Sequence, residues 1–212
     1  MRLLILSLFF SVLAMAVSAQ KAFKGGIVAG PVVTQVSGDG LGGWDKLGLS
    51  AGAWVNMPLS DKAGIGISMK YINKGSKTKI DTVTYNTFGY YLNYIDIPVL
   101  FTYNTAIRKM KITASVGPYV GVLLNQKIKA NKASYDLSQV PFKSYDFGGQ
   151  AGVAFWGGEN FFIEFALNTS MIPTRDNPAV TNKYSYYEQG NYNQTLQLNF
   201  GWRFGGTSES TP

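Results

Sequence analysis

The fold is decided by the stretch Thr195-Leu196-Gln197-Leu198-Asn199-Phe200-Gly201-Trp202-Arg203-Phe204, which alternates strictly between apolar and polar or small residues. Successive side chains of a β-strand point to opposite faces, so the stretch predicts a strand with one apolar face and one polar face. Soluble sheets and membrane barrels both use strands of this kind. The rest of the chain has to distinguish between these two classes.

The start of the chain has the features of a secretory signal peptide over residues 1–19. Arg2 supplies the positive charge, residues 3–17 are almost wholly apolar, and Val17-Ser18-Ala19 places small residues at the expected cleavage position. The apolar run is shorter than the about 20 residues of a membrane-spanning helix. We therefore predict an exported protein that begins at Gln20, without a lipid anchor because the chain has no cysteine.

The composition excludes several classes of function. The chain has neither histidine nor cysteine, which removes Ser-His-Asp and Cys-His nucleophilic sites and histidine metal sites. Without Arg2 the mature chain keeps 18 Lys and Arg against 12 Asp and Glu, a net charge of +6. These basic residues are scattered and form no cluster typical of nucleic-acid binding. We expect no enzyme activity, no cofactor, no metal site and no nucleic-acid partner.

Eight segments of the chain have the composition and alternation of strands. They are residues 24–36, 46–57, 63–74, 92–104, 109–124, 145–156, 161–172 and 192–204. Their lengths suit tilted strands of about 9–11 residues that cross a bilayer better than ordinary strands of about 5–6 residues. Short connections at 58–62, 105–108 and 157–160 alternate with longer ones. Outer membrane barrels have this asymmetry, with short periplasmic turns and long outer loops.

The small and polar faces of the strands indicate which face points inward. They are rich in glycine, serine and alanine, as in Gly48, Ser50 and Gly52, whereas the opposite faces are bulky and uncharged. A narrow barrel interior needs small side chains, and a lipid-facing wall needs apolar ones. We predict an all-β, eight-stranded antiparallel up-and-down transmembrane barrel over residues 20–204, followed by a polar tail at 205–212. A secreted, soluble lipid-binding barrel is the alternative.

Aromatic residues are concentrated near both ends of the strands, as in the girdles of membrane barrels. Those near the short turns are Phe155, Phe161, Trp202 and Phe204. Those near the long loops are Tyr90, Tyr91, Tyr94, Tyr184, Tyr186, Tyr187 and Tyr192. Three prolines, Pro31, Pro98 and Pro118, fall inside strands, where a closed barrel offers no free edge. We expect β-bulges at these prolines.

Several motifs occur in an order that resembles a known family. They are Tyr71 with Lys74-Gly75, Tyr94-Ile95-Asp96-Ile97-Pro98-Val99-Leu100, Gly117-Pro118-Tyr119, and Asp146-Phe147-Gly148. Together they resemble the PorT-like outer membrane β-barrel family of Bacteroidota. The resemblance implies the barrel fold and makes prolines within strands expected. It also implies an association with type IX secretion, the role of the family's namesake.

Six charged residues fall on faces predicted to point inward: Lys70, Asp96, Lys111, Asp146, Glu164 and Arg203. Three positive and three negative charges inside a narrow barrel are tolerable only when they are paired and hydrogen-bonded. We predict a salt-bridge network that plugs the lumen. The alternative is a polar binding site or a proton path that uses the same residues.

These features lead to one functional hypothesis and one alternative. We expect a small non-enzymatic protein of the bacterial outer membrane, in contact with lipid, that acts as a structural or interaction component of an envelope or type IX secretion-related complex. The alternative is a ligand-binding or gated small-solute transport barrel. We further predict that Phe200, Trp202 and Phe204 form the signal that the barrel-assembly machinery recognises.

Overall fold

The computed structural model describes residues 23–41, 43–79, 87–130, 133–135, 141–176 and 190–204. These residues form the strands β1 (Lys24–Ser37), β2 (Lys46–Pro58), β3 (Ala63–Lys77), β4 (Phe88–Ile107), β5 (Met110–Ala130), β6 (Ala133–Tyr135), β7 (Tyr145–Trp156), β8 (Phe161–Ser170), β9 (Arg175–Asp176) and β10 (Gly190–Phe204). The predicted signal peptide and the polar tail after Phe204 lie outside the described residues. Within the described ranges, no helix is long and apolar enough to cross a membrane.

Eight of the strands form a closed antiparallel ring. Their order is β1-β2-β3-β4-β5-β7-β8-β10, and β10 returns to pair with β1, for example through Ile27 and Trp202. The short strands β6 and β9 extend this ring by pairing with β5 and β10. The predicted eight-stranded up-and-down barrel is thereby confirmed. Strands β4 and β5 are the longest, at 20 and 21 residues, and both exceed their predicted ranges at the long-loop end. β4 also continues to Ile107, so most of the connection predicted at 105–108 belongs to the strand.

The side chains of β10 divide between the lumen and the outside as their alternation predicts. Gln197 and Asn199 are buried, whereas Leu196, Phe200 and Trp202 are 45–49% exposed. The other seven long strands also expose large apolar side chains, including Leu47, Ile67, Phe101, Val116, Phe147 and Phe165. A soluble barrel would bury such a continuous apolar face, because its exposure to water is unfavourable. The outer wall therefore faces lipid, and the soluble lipid-binding alternative is wrong.

The prolines within strands are accommodated differently from our expectation of bulges. Each proline keeps its register with one neighbouring strand and has no paired residue on the other neighbour. The missing pair is with β10 at Pro31, with β3 at Pro98 and with β4 at Pro118. The register between the two strands is the same before and after each of these gaps, so no residue is inserted. A missing N–H costs little where the ladder is already open. The retained partners are Leu49, Tyr119 and Gly149, respectively.

A register shift does occur in the barrel, between β4 and β5. Asn93 pairs with Asn125, whereas the next residue, Tyr94, pairs with Leu123. The extra residue on β5 changes the face on which the following side chains lie. As a result, Leu123 and Ile128 both pack against the same interior cluster, although an odd number of positions separates them.

The outer tyrosine band predicted from sequence is only partly an interfacial girdle. Tyr94 and Tyr192 are fully buried in the lumen, and Tyr90 packs against the interior cluster. That cluster consists of the buried residues Val32, Val36, Ile72, Leu92, Tyr94 and Phe142. It fills the lumen near the long loops. Tyr184, Tyr186 and Tyr187 lie outside the described residues.

Candidate functional site

A buried ion-pair cluster, which we define as Lys74, Asp96 and Asp146, occupies the lumen. The Nζ atom of Lys74 lies 2.9 Å from Oδ2 of Asp96 and 2.9 Å from Oδ2 of Asp146. All three side chains have zero exposure. They come from β3, β4 and β7, so the contacts cross the barrel and connect three parts of its wall. Side chains at alternating positions line one face of a strand, which explains why Lys70, Ile72 and Lys74 all point inward.

The carboxylate of Asp146 is the most heavily hydrogen-bonded group of this cluster. Its Oδ1 atom accepts from Ser170 Oγ at 2.7 Å and from Tyr119 Oη at 3.1 Å. Its Oδ2 atom accepts from Asn193 Nδ2 at 3.0 Å, in addition to Lys74. A buried charge is tolerated when it has both a counter-ion and hydrogen-bond donors, and Asp146 has both.

Two aromatic rings complete the surroundings of the Lys74 ammonium group. The Nζ atom lies 4.8 Å from the ring centroid of Tyr94 and 4.6 Å from that of Tyr119. These distances are typical of cation–π contacts, which strengthen when water is excluded. The polar donors around Asp146 add to the stabilisation that the Lys74 ammonium group provides. The arrangement closes the lumen at this level with tightly packed side chains.

A second polar level lies nearer the short turns and consists largely of amide side chains. Lys70 Nζ donates to Gln197 Oε1 at 2.9 Å, and Gln197 Nε2 donates to Asn168 Oδ1 at 2.9 Å. Asn199 Nδ2 donates to Glu164 Oε2 at 3.0 Å. Lys70 is 2% exposed, so its charge is held within the barrel. These residues form a hydrogen-bonded layer between the ion-pair cluster and the short-turn end of the barrel.

Beyond this level the lumen opens into a cavity of about 1130 Å³, which we call the short-turn cavity. Its lining includes Leu59 and Gly158, from two of the short turns, and Ala106, at the short-turn end of β4. Lys70 and Glu164 lie at its inner end, and Lys111 and Arg203 line its wall. Trp54, Trp156 and Phe162 come from β2, β7 and β8, and their ring centroids are 4.7–6.5 Å apart. Because β2 and β7 lie opposite each other in the ring, these aromatic side chains meet across the lumen.

The structure does not bring the six predicted charges together in a single network. Asp96 and Asp146 meet at Lys74, which our predicted network omitted. Lys70 and Glu164 belong to the amide level. Lys111 and Arg203 line the short-turn cavity, and neither has a carboxylate oxygen within 4.0 Å in the described part of the chain. Arg203 instead lies over Trp156, with 5.4 Å between its Cζ atom and the ring centroid.

The described residues also bear on catalytic and metal-binding chemistry. They contain no group of three or more His, Cys, Asp or Glu side chains that could hold a metal ion. The ion-pair cluster can hold charge and exclude water, and the short-turn cavity can hold a solute.

The predicted assembly residues Phe200, Trp202 and Phe204 lie on the lipid-facing side of β10, 45–56% exposed. Their recognition by the assembly machinery stays a prediction.

Residues 18–209 match the family model described as the outer membrane protein beta-barrel domain. The chain belongs to this family. Membership of the outer membrane protein beta-barrel family, together with the lipid-facing apolar wall, places the protein in the bacterial outer membrane. The match does not test the finer resemblance to the PorT-like proteins of Bacteroidota, which stays a prediction. No curated protein sequence matches the chain.

Solved structures of small outer membrane barrels are similar to this member of the family. Ail, the attachment invasion locus protein of Yersinia pestis, is 16% identical with a TM-score of 0.48, over 85% of this chain and 98% of that chain. Neisserial surface protein A is 11% identical with a TM-score of 0.47, over 86% and 96% of the two chains. The N-terminal barrel domain of OprF from Pseudomonas aeruginosa is 14% identical with a TM-score of 0.37, over 84% and 97%.

Proposed function

We propose that the protein is a non-enzymatic, non-conducting outer membrane barrel that acts as a structural or interaction component of an envelope complex. The single observation that supports this role is the filled lumen. Lys74, Asp96 and Asp146 have zero side-chain exposure, and the tyrosine rings of Tyr94 and Tyr119 pack around them. An eight-stranded barrel is just wide enough to be filled by its side chains, so a filled interior leaves the outer surfaces for function.

Conductance in planar lipid bilayers tests the non-conducting part of this proposal. The purified mature barrel should insert without discrete current steps, whereas a general porin inserted under the same conditions should give them. Reproducible current steps that Glu164→Ala alters would overturn the proposal. They would favour the gated transport alternative, since Glu164 lies at the inner end of the short-turn cavity.

Co-purification tests the interaction part of the proposal. The protein extracted in mild detergent from its own outer membrane should migrate on native gels as a complex larger than one barrel. Deletion of residues 178–188, from the long connection between β9 and β10, should release the partner while leaving the barrel folded. Migration as a single barrel under several mild detergents, with no partner lost on deletion, would contradict the proposal.

We further propose that this complex is related to type IX secretion in a species of Bacteroidota. The support is the resemblance of Tyr94–Leu100 and Gly117–Gly121 to the strands of PorT-like proteins. Deletion of the gene in its native host should reduce secretion of a type IX cargo, and the wild-type gene should restore it. Unchanged secretion in the deletion strain would separate the protein from that pathway.

A further inference from the structure

The outer wall of β3, β4 and β5 changes from apolar to polar near the long loops. Its large exposed apolar side chains end at Tyr71 on β3 and Leu124 on β5, which are 38% and 56% exposed. A row of asparagines follows, in which Asn73 pairs with Asn93 and Asn93 pairs with Asn125. Because long loops lie on the outer side of outer membrane barrels, this row marks the level of the headgroups of the outer leaflet.

Three lysines lie on β3 and β5 between this row and the long loops. We define them, Lys77, Lys127 and Lys129, as the outer lysine patch. Gly89 pairs with Lys77 on one side and with Lys129 on the other, and residues directly opposite each other share one face of a sheet. Neighbouring strands are about 4.8 Å apart, so the Cα atoms of Lys77 and Lys129 are about 10 Å apart. Both side chains can therefore reach one group that lies above Gly89, which has no side chain of its own.

The ring of Tyr91 holds two ammonium groups next to this position. The Nζ atom of Lys129 lies 4.8 Å from the ring centroid, and the Nζ atom of Lys46, from β2, lies 5.3 Å from it. Tyr91 also pairs in register with Lys127. Cation–π contacts of this kind fix the direction of long side chains that are otherwise free to rotate. The ring therefore keeps positive charge from β2 and β5 close to the outer lysine patch.

These positive charges are not neutralised within the described part of the chain. None of the four ammonium groups, those of Lys46 and of the outer lysine patch, has a carboxylate oxygen within 4.0 Å there. By contrast, Lys143, an exposed lysine near the long loops before β7, pairs with Asp176 at 2.8 Å. Like charges on one sector of the wall repel each other, so the sector favours an anion between them.

The position of the outer lysine patch indicates which anion binds there. A phosphate group offers several acceptor oxygens to ammonium groups, and anionic headgroups attract lysines that lie at the membrane surface. Exposed apolar side chains continue from the asparagine row toward the middle of the wall, where they contact acyl chains: Met69, Val122 and Leu124. A water-soluble anion makes no use of this apolar surface, whereas a lipid occupies both surfaces at once.

We propose that the outer lysine patch binds the phosphate group of an outer-leaflet lipid whose acyl chains pack on the wall of β3, β4 and β5. The phosphate lies above Gly89, between Lys77 and Lys129, and Lys127 and Lys46 add to the positive potential. This inference goes beyond the proposed function, because a lipid can occupy this sector with or without a protein partner.

Isothermal titration of the folded mature barrel in a non-ionic detergent tests the proposal with dimyristoyl phosphatidic acid as the probe. Dimyristoylglycerol is the matched lipid, since it has the same acyl chains and lacks only the phosphate. Inorganic phosphate represents the headgroup alone. We expect saturable binding of phosphatidic acid that is at least ten-fold tighter than that of either control. Equal binding of dimyristoylglycerol, equal binding of inorganic phosphate, or no binding of phosphatidic acid would each overturn the proposal.

Variants of the outer wall locate the bound lipid. Lys77→Gln combined with Lys129→Gln should weaken the binding of phosphatidic acid at least ten-fold, while Lys143→Gln should leave it unchanged. Lys143 is a matched control because it is also a lysine near the long loops, but one that has a carboxylate partner. Substitutions at the outer surface usually change stability little, so these variants should fold. Equal affinities of the double variant and the Lys143 variant would overturn the proposal. Conductance and co-purification are unaffected by this outcome, so the two proposals fail separately.

Discussion

Lys74 has no exposed surface and is held by two carboxylates and two tyrosine rings. Replacement by methionine keeps the length of the side chain and removes the charge, which leaves Asp96 and Asp146 buried together without a counter-ion. Removal of one partner of a buried ion pair typically costs about 3–5 kcal/mol. We expect Lys74→Met to lower the free energy of unfolding by this amount, measured by urea titration of the barrel in detergent.

The matched control for this prediction is Lys143→Met, because Lys143 also forms an ion pair but at the surface. Its side chain is 42% exposed and that of Asp176 is 63% exposed. Exposed pairs contribute less than about 1 kcal/mol, so this variant should be close to wild type. If both variants lose the same stability, burial of the cluster is not the cause. Addition of Asp96→Asn and Asp146→Asn to Lys74→Met should restore part of the loss.

Gly201 allows the Phe162 ring to occupy the lumen beside β10. A Cβ atom added at position 201 would overlap with the ring atoms of Phe162, which pairs with it across the strands. We expect Gly201→Val to destabilise the barrel by about 1–3 kcal/mol through overpacking. Gly66→Ala is the control, since its added Cβ would meet no atom closer than 3.4 Å. Phe162→Leu should relieve the effect of Gly201→Val, and the absence of this rescue would contradict the explanation.

Single residues of the lumen were only partly predictable. The alternation of β4, β7 and β8 correctly placed Asp96, Asp146 and Glu164 on inward faces. Lys74 was not among the predicted inward charges, although it falls within the predicted strand, at its last position. Its signal was present, since it shares the face of Lys70 four positions earlier. Which cation meets which carboxylate depends on contacts across the barrel, and strand alternation carries no information about those contacts.

At the scale of elements, β10 carries the aromatic residues that we predict to be recognised during assembly. Phe204 and Trp202 are exposed to lipid at the short-turn end of this strand. Phe204→Leu keeps an apolar side chain and removes only the ring, so it should fold normally in detergent. In cells it should reduce the folded fraction in the outer membrane several-fold, measured by the different gel mobility of folded and unfolded barrels.

The control for β10 is Phe165→Leu, because Phe165 is an equally exposed aromatic residue on the neighbouring strand β8. It should assemble like the wild type. A similar loss for both variants would indicate a general need for aromatic residues at the lipid surface. Normal assembly of Phe204→Leu would remove this residue from the predicted signal.

The strands themselves were predictable where their alternation is unbroken, as in β8 and β10. The irregular parts were not, because they depend on which strands become neighbours. The prolines Pro31, Pro98 and Pro118 lie beside interruptions of the ladder instead of at bulges. The register shift occurs at Asn93 and Tyr94, where neither residue is a glycine or a proline. A local pattern in one strand cannot reveal a shift that involves the partner strand.

At the scale of the whole molecule, the barrel is closed toward the long loops and open toward the short turns. The closed part contains the apolar interior cluster and the ion-pair cluster, and the open part contains the short-turn cavity. The membrane location and the strand number followed from the signal peptide, the loop asymmetry and the apolar faces. The short-turn cavity could not be predicted from the sequence, because it depends on how completely the side chains of eight strands fill the lumen along the barrel axis.

The pairing of β1 with β10 has a consequence for biosynthesis. These strands lie at opposite ends of the barrel sequence, so the ring can close only after the entire segment to Phe204 has been exported. A nascent chain that lacks residues 190–204 would leave β1 and β8 with unpaired edges, which are sites of aggregation, and a barrel that cannot close stays accessible to periplasmic proteases. We expect such a truncated chain to be degraded within minutes in a pulse-chase experiment, while the full chain persists. Ring closure thereby selects full-length chains, since only a chain that includes β10 can pair the edges of β1 and β8.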